Sequence, residues 1–443
     1  MQSPNVLRRI GPAFIAGACI IGPGSVTLMS KIGSSHGYSL LWLALLSGAL
    51  MAGFLALFMR FGIYSDETFL GLTAKRIGRW YAVLCGISLF SVDATFQIGN
   101  CLGVTTAMAN LFASMPKLVW PVAFTVLAIA FMFAFKRIYR IIEKMMIFLL
   151  VMMLLAFLAN LVWARPNLLD ALKGLSVPTI PKDVNWVALA GLVATTFCIV
   201  VAFFQSYLVK AKGWGERDFA SGATDTVLAS IVFTLIGCVI MMTAAAVLYE
   251  KKVTVDSAEA MAAQLRGVFG PHAKTIFCLG FWAAAFSSFI TNSLIGGVLL
   301  NDGLGFGGKL ESMPTRIFAT CVLLIGMTTA IAIMHATPAA PSAPAAVVAA
   351  AAKSEADTVA KPRAKGELEV KAIALAQAVT MLAVPLGAIA MVVVLFDRRA
   401  TKGRGLSLWA KAFVLLGAAI LLGIAAMTYA KIKPELVALL GGG

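Results

Sequence analysis

Ile20-Ile21-Gly22-Pro23-Gly24-Ser25 lies in the middle of the first hydrophobic segment, which runs from about Gly11 to Ile32. Gly, Pro and Gly in succession cannot continue a regular helix, because proline removes a backbone donor and glycine carries a high helix-forming cost. In a bilayer the freed backbone groups cannot turn to water and need partners in protein or in a wet cavity. A helix broken at mid-membrane is one way that secondary transporters build a substrate site. A kink is the other reading, since Gly and Pro are frequent in membrane helices. On this stretch alone the two stay open.

The chain around it is a polytopic membrane protein. Of its 443 residues, 60% are hydrophobic and only 13% charged, against about 25% charged in a soluble domain. A span needs about 20 apolar residues. That rule gives eleven segments: about 11–32, 39–62, 80–113, 117–135, 144–164, 185–209, 225–249, 268–300, 315–336, 371–396 and 406–430. Arg8 and Arg9 before an apolar run resemble a signal peptide, but no small-residue cleavage site follows, so the run is read as the first span. The net charge of +16 does not imply nucleic acid. The basic residues are spread over short loops, where they set topology and meet anionic lipid headgroups. With the N-terminus cytoplasmic, the inner loops carry 20 of the 36 Lys and Arg residues. The expectation is therefore an inner-membrane, multi-pass protein with its N-terminus inside and C-terminus outside. The loop at about 337–370, rich in Ala and Pro and then in mixed charge, reads as a linker. All seven cysteines fall in hydrophobic segments without metal-type spacing and are read as buried thiols packing as small hydrophobes. With three histidines, His36, His272 and His335, near span ends or in loops, no nucleophile–base constellation is present and no enzyme activity or cofactor is expected.

Ionisable residues inside a membrane are costly and mark function by default. Only Asp93 falls deep within a span. Asp93, Gln97 and Asn100 follow i, i+4, i+7 and share one helix face. They are candidates for ion or proton coupling (Asp93, Gln97) or for hydrogen-bonded glue between helices. A second polar stripe, Ser287, Ser288, Thr291 and Asn292, lies in the eighth span. Gln205 and Ser206 follow Ala202-Phe203-Phe204 in the sixth, where no Gly or Pro marks a break. Gln377, Thr380 and Pro385 in the tenth are a third polar lining or a kink. The spacing of these features makes spans 1–5 (about 11–164) and 6–10 (about 185–396) two copies of one plan, with an extra helix at about 406–430.

At these residues the chain resembles the Nramp family of divalent-metal transporters. Ile21-Gly22-Pro23-Gly24-Ser25 stands at the family's Asp-Pro-Gly-Asn motif. Gly37-Tyr38-Ser39-Leu40-Leu41-Trp42 is similar to the opening of its second helix, and Asp93 through Gly99 to its third. Ala284 through Asp302-Gly303 resembles the eighth helix, and Leu382-Ala383-Val384-Pro385-Leu386 with Asp397-Arg398 the tenth and its exit loop. The resemblance implies an all-α membrane protein of LeuT type, an inverted repeat of 5+5 helices plus one, with helices 1 and 6 broken around a central site. In typical members it implies proton-coupled uptake of manganese or iron.

The chain departs from the family where that chemistry belongs. The family's metal-binding Asp matches Gly22 and its Asn matches Ser25. Its sixth-helix Met-Pro-His matches Ala202-Phe203-Phe204, a Glu matches Phe96, and a Gln matches Phe286. A typical manganese or iron site is therefore not expected. The substrate-binding candidates are Gly22, Pro23, Gly24, Ser25, Ala202, Phe203, Gln205, Ser288, Asn292 and Gln377. Three functions follow: transport of another metal cation, such as magnesium with its waters near Asp93; transport of an organic acid or amino-acid-like solute, with Phe96, Phe203, Phe204 and Phe286 lining an apolar pocket; or a non-transporting member. The partners expected are a small ion or small molecule and membrane lipid, with the chain as a monomer.

Overall fold

The chain opens on a helix capped from far away in sequence. Helix α1 (Pro12–Ile20) starts with proline, whose missing N–H is no loss in a first turn. The N–H groups of Gly11 and Ala13 donate to the two carboxylate oxygens of Asp225 at 2.7 and 2.8 Å. Asp225 is itself fully buried. At Ile21–Gly22 the helix stops, and α2 (Pro23–His36) restarts with its own proline, the two axes 53° apart. The structure, a computed structural model, describes residues 11–134, 161–253, 257–336 and 364–440, with 148, 155, 157–159 and 255. Most of the fifth expected span, about 144–164, and most of the loop at about 337–370 lie outside the described residues.

The remaining elements follow in order: α3 (Leu41–Tyr64), α4 (Phe69–Arg76), α5 (Arg79–Leu111), α6 (Val119–Ala134), α7 (Leu168–Ser176), α8 (Trp186–Thr196), α9 (Ile199–Lys212), α10 (Phe219–Ala244), α11 (Ala273–Leu304), α12 (Met313–Ala336), α13 (Ala364–Val379), α14 (Val384–Phe396) and α15 (Leu408–Leu440). Among the described residues seven helices are long and apolar enough to span, or nine with each bent pair taken as one. With the shorter apolar α6, these correspond to ten of the eleven segments read from the sequence, and the fifth falls mostly outside the described residues. The tenth is a second bent pair, 46° across Ala383, and α13 begins at Ala364, inside the stretch expected to be linker.

Burial identifies the centre of the bundle. The α8–α9 span and α11 are each 94% buried over their most apolar window, while α12 and α15 are 28% and 33% buried. The tightest pairing is α5 against α11. A Cβ on Gly86 would lie 3.1 Å from the Cα of Gly303. Small residues let two backbones meet in this way, which is how membrane helices associate without a hydrophobic drive between them. Asp93 and the polar stripe of the eighth span are on these two helices, so the packing brings them together.

Candidate functional site at two interrupted helices

The break in the first span is built from its neighbours. Gly22 is extended (φ −101°, ψ −175°). Ser25 Oγ donates across the gap to the carbonyl of Ile20. Ser288 Oγ donates to the carbonyls of Ala18 at 3.1 Å and Cys19 at 3.4 Å. Carbonyls at the end of α1 are thus satisfied by two hydroxyls, in a region where water cannot serve. Pro23 lodges against Gly103 of α5, where a Cβ would approach Pro23 Cβ to 2.5 Å.

The sixth span is interrupted at Phe197–Cys198, between α8 and α9. It bends too little to count as two spans and runs as one unit from Trp186 to Lys212. The interruption lies more than one helical turn before Ala202-Phe203-Phe204, the stretch matched to the family motif. No glycine or proline announces it.

Between the two interruptions is a cavity of about 20 Å³. Its floor is Gly22, Gly24 and Ser25. Thr195 and Cys198 come from the sixth span, Phe96 and Asn100 from α5, Asn292 from α11 and Gln377 from α13, with Cys19 and Ile20 at the end of α1. That space is enough to admit a body of at least the size of a water molecule. A Cβ on Gly22 would lie 2.8 Å from Ser288 Oγ and 3.5 Å from Asn100 Oδ1. Gln377 fills the space over Gly24, where a Cβ would meet its Cδ at 2.5 Å, and it also reaches Gly99.

Behind the cavity is a line of amides. Asn292 Nδ2 donates to the carbonyl of Asp93 at 2.6 Å and to Gln97 Oε1 at 3.3 Å. Asn100 Nδ2 donates to Gln97 Oε1 at 3.2 Å. The Asp93 carboxylate is fully buried beside Gly296 of α11, and neither oxygen has a hydrogen-bond partner among the described residues. It does not line the cavity.

The sequence candidates therefore separate. Gly22, Gly24, Ser25, Asn292 and Gln377 line the cavity; Pro23 and Ser288 shape the break beside it; Asp93 and Gln97 stand behind. Ala202, Phe203 and Gln205 are fully buried away from it. Phe203 stacks on Phe69 with centroids 4.4 Å apart and meets Phe58 at 5.0 Å. Both amide atoms of Gln205 are without partners among the described residues. Of the four phenylalanines expected in an apolar pocket, only Phe96 lines the cavity; Phe286 stacks on Trp282 at 5.7 Å. Sequence reasoning missed Cys19, Thr195 and Cys198. The available signal was position: Cys19 immediately precedes the Ile20–Ser25 break.

Comparison with known proteins places these features in context. The profile described as Natural resistance-associated macrophage protein-like (Nramp) matches residues 13–351. The divalent metal cation transporter MntH of Bacillus subtilis is 24% identical over 330 residues, covering 72% of this chain and 75% of the relative. MntH of Yersinia enterocolitica is 26% identical over 339 residues, covering 73% and 81%. A mutant of the Eremococcus coleocola manganese transporter superposes with a TM-score of 0.77 at 16% identity, covering 100% of this chain and 90% of that one. MhsT in complex with L-phenylalanine superposes with a TM-score of 0.54 at 13% identity, covering 94% and 97%. The two structural likenesses concern the fold alone: an all-helical membrane bundle of LeuT type.

Proposed function

The chain belongs to the Nramp family, and on that premise we propose that it is a secondary transporter carrying a metal cation across the membrane by alternating access. The observation that carries this reading is the lining of the cavity between the two interrupted spans. Amides, a hydroxyl and backbone line it, which offers oxygen donors to a cation and no basic side chain to an organic acid. The donor set supports a cargo other than typical manganese or iron, because no carboxylate, imidazole or thioether lines the cavity. In this reading Asn292 and Gln377 offer amide oxygens to the ion, Gly22 and Gly24 allow backbone approach, and Ser25 bridges the break. Asp93 and Gln97 serve coupling from behind. The excess of basic residues in the inner loops supports a cytoplasmic N-terminus and an outer C-terminus, in a bacterial inner membrane.

Proteoliposome flux tests the proposal. The panel holds magnesium, manganese, zinc and cadmium ions beside amino acids and organic acids, with thermal stabilisation of the detergent-solubilised protein as a second readout. The expected result is flux and stabilisation with at least one metal ion and with no organic solute. Stabilisation by a carboxylate solute and by no metal overturns the proposal, as does the absence of flux for every compound.

A further inference from the structure

The segment that joins the fifth and sixth spans carries a short helix with three different faces. Helix α7 (Leu168–Ser176) turns Ala171 and Gly174 inward. A Cβ on Gly174 would lie 2.0 Å from the carbonyl oxygen of Tyr38, so this face is pressed against the approach to α3. Asp170 and Lys173 form a second face, paired at 3.6 Å and exposed. Leu168, Leu169 and Leu172 form the third. At positions i, i+1 and i+4 they lie within about 100° of the helix circumference. They are 67, 70 and 58% exposed, so the chain itself leaves this edge uncovered. Three bare leucines on one edge of an otherwise polar or packed helix are stabilised by an apolar partner.

The aromatic residues around α7 set its depth. Trp163 stands in the helical stretch 161–164, at the end of the fifth expected span. The chain then turns at Arg165 (φ 44°) and Pro166. Leu168 follows Trp163 closely enough that the two lie at most about 18 Å apart. Trp42 is the second residue of α3, and its Nε1–H donates to the carbonyl of Thr179, just past α7, at 3.0 Å. Trp186 is the first residue of α8. Tryptophan gathers where a span meets the lipid headgroups, and here the ends of three spans mark that level beside α7.

We propose that α7 is an interfacial helix whose leucine edge is buried in the phospholipid leaflet at the end of the bundle opposite Asp302. The occupant is lipid and not a second copy of the chain, because three leucine side chains supply far less than the about 800 Å² per partner of a stable protein interface. The Asp170–Lys173 face is left to water. Asn167 Oδ1 accepts from the N–H groups of Leu169 and Asp170 at 3.1 and 3.3 Å, which satisfies the first turn where water is scarce. The consequence is a fixed point. Through Gly174 and Thr179, lipid contact holds the joint between the fifth and sixth spans and the start of α3 at one depth.

The test places an environment-sensitive nitrobenzoxadiazole label on single introduced cysteines of the full chain in phosphatidylcholine nanodiscs. Wild type carried through the same labelling gives the background from the seven native thiols. Labels at Leu169→Cys and Leu172→Cys are expected to emit to the blue of a label at Lys173→Cys. They should lose their emission to lipid carrying a nitroxide just below the headgroup and be protected from aqueous iodide. Lys173→Cys should show the reverse. All three side chains are exposed, and monodisperse elution establishes that each labelled variant is folded. Leu168→Cys repeats the measurement at the first leucine. Equal quenching by iodide at the leucine and lysine positions overturns the inference. Leucine positions shielded from iodide yet untouched by the nitroxide lipid also overturn it, and would assign the edge to a protein contact.

Discussion

Asp93 and Asp302 are both buried carboxylates on the paired helices α5 and α11, 0% and 2% exposed, and they have opposite surroundings. Asp302 accepts from Tyr207 OH at 2.6 Å, Thr68 Oγ1 at 2.7 Å, and the N–H groups of Leu70 and Gly71 at 3.0 and 3.3 Å. It thereby joins α9 and α11 and caps the short helix α4. Around it the same end of the bundle carries the ion pairs Arg76–Asp397, Lys402–Asp66 and Arg404–Glu216. Among the described residues neither oxygen of Asp93 has a hydrogen-bond partner. A buried carboxylate with a full set of donors stabilises a fold; one without them does not. Asp302 thus ties one end of the bundle together, whereas Asp93 has no such tie among the described residues.

The comparison breaks first if Asp302 can be removed cheaply. Asp302→Ala would strip the cap from α4 and leave Tyr207 OH buried without its partner. A lost cap costs about 0.5–2 kcal/mol and an orphaned buried donor about 1–3 kcal/mol. The expected loss is therefore about 2–5 kcal/mol, seen as a large fall in thermal unfolding temperature in detergent. An unchanged temperature would mean that the knot contributes nothing. Tyr207→Phe removes one of the four donors and keeps the ring. It should destabilise by about 1 kcal/mol, and Asp302→Ala in the Tyr207→Phe background should then add less than it does alone, because the two residues share a bond.

How legible each feature was depends on whether its chemistry is local. Gly22-Pro23-Gly24 could be read as a break because both residue types act on their own backbone. The interruption at Phe197–Cys198 could not, because neither residue carries a backbone signal and the break is imposed by packing. Ala202-Phe203-Phe204, the stretch matched to the family motif, follows about one turn later and is buried, with Phe203 packed against Phe58 and Phe69. Asp93 stood out as the one acid deep within an apolar run. Asp225 and Asp302 did not, because they lie at span ends and their donors come from α1 and α4, more than 200 residues away. The membrane class and the family resemblance were legible across most of the chain. The cavity was only half legible: Gly22, Gly24 and Ser25 came from the backbone break and Asn292 and Gln377 from polar side chains in apolar spans, whereas Cys19 and Cys198 read as packing thiols.

A smaller effect sharpens the picture at the closed end. Burial pushes the Asp397 carboxyl up, but hydrogen bonds from the Arg76 guanidinium and from the N–H groups of Ala400 and Arg399 outweigh it, and the group is held below its ordinary value. A depressed folded-state value means that the tie stabilises the protein at every pH above the ordinary value of about 3.9 and is lost as pH falls through the folded one. The Arg76 side chain is 38% exposed, so solvent screens the pair. Arg76→Gln is expected to lower the unfolding temperature by about 2 °C or less at neutral pH. The gap between variant and wild type should shrink as pH is taken below about 4. A gap that stays constant across that range would assign the effect to lost packing of the arginine.

The smallest expected change in stability is at Asp93. Asparagine conserves its volume and takes away a carboxylate that has no partner to lose, so Asp93→Asn should move stability by less than about 1 kcal/mol, in either direction. Flux is where this variant should differ. In the coupling role proposed for it, the side chain must exchange a proton or meet the charge of the cargo as the helices move, and an amide does neither at the pH of the assay. Transport measured in liposomes should fall to background while the unfolding temperature stays at the wild-type value. A drop of several degrees would make Asp93 a structural residue like Asp302, with a partner supplied in the membrane-embedded protein. Full transport with full stability would remove it from the mechanism and leave the cavity residues to carry the ion alone.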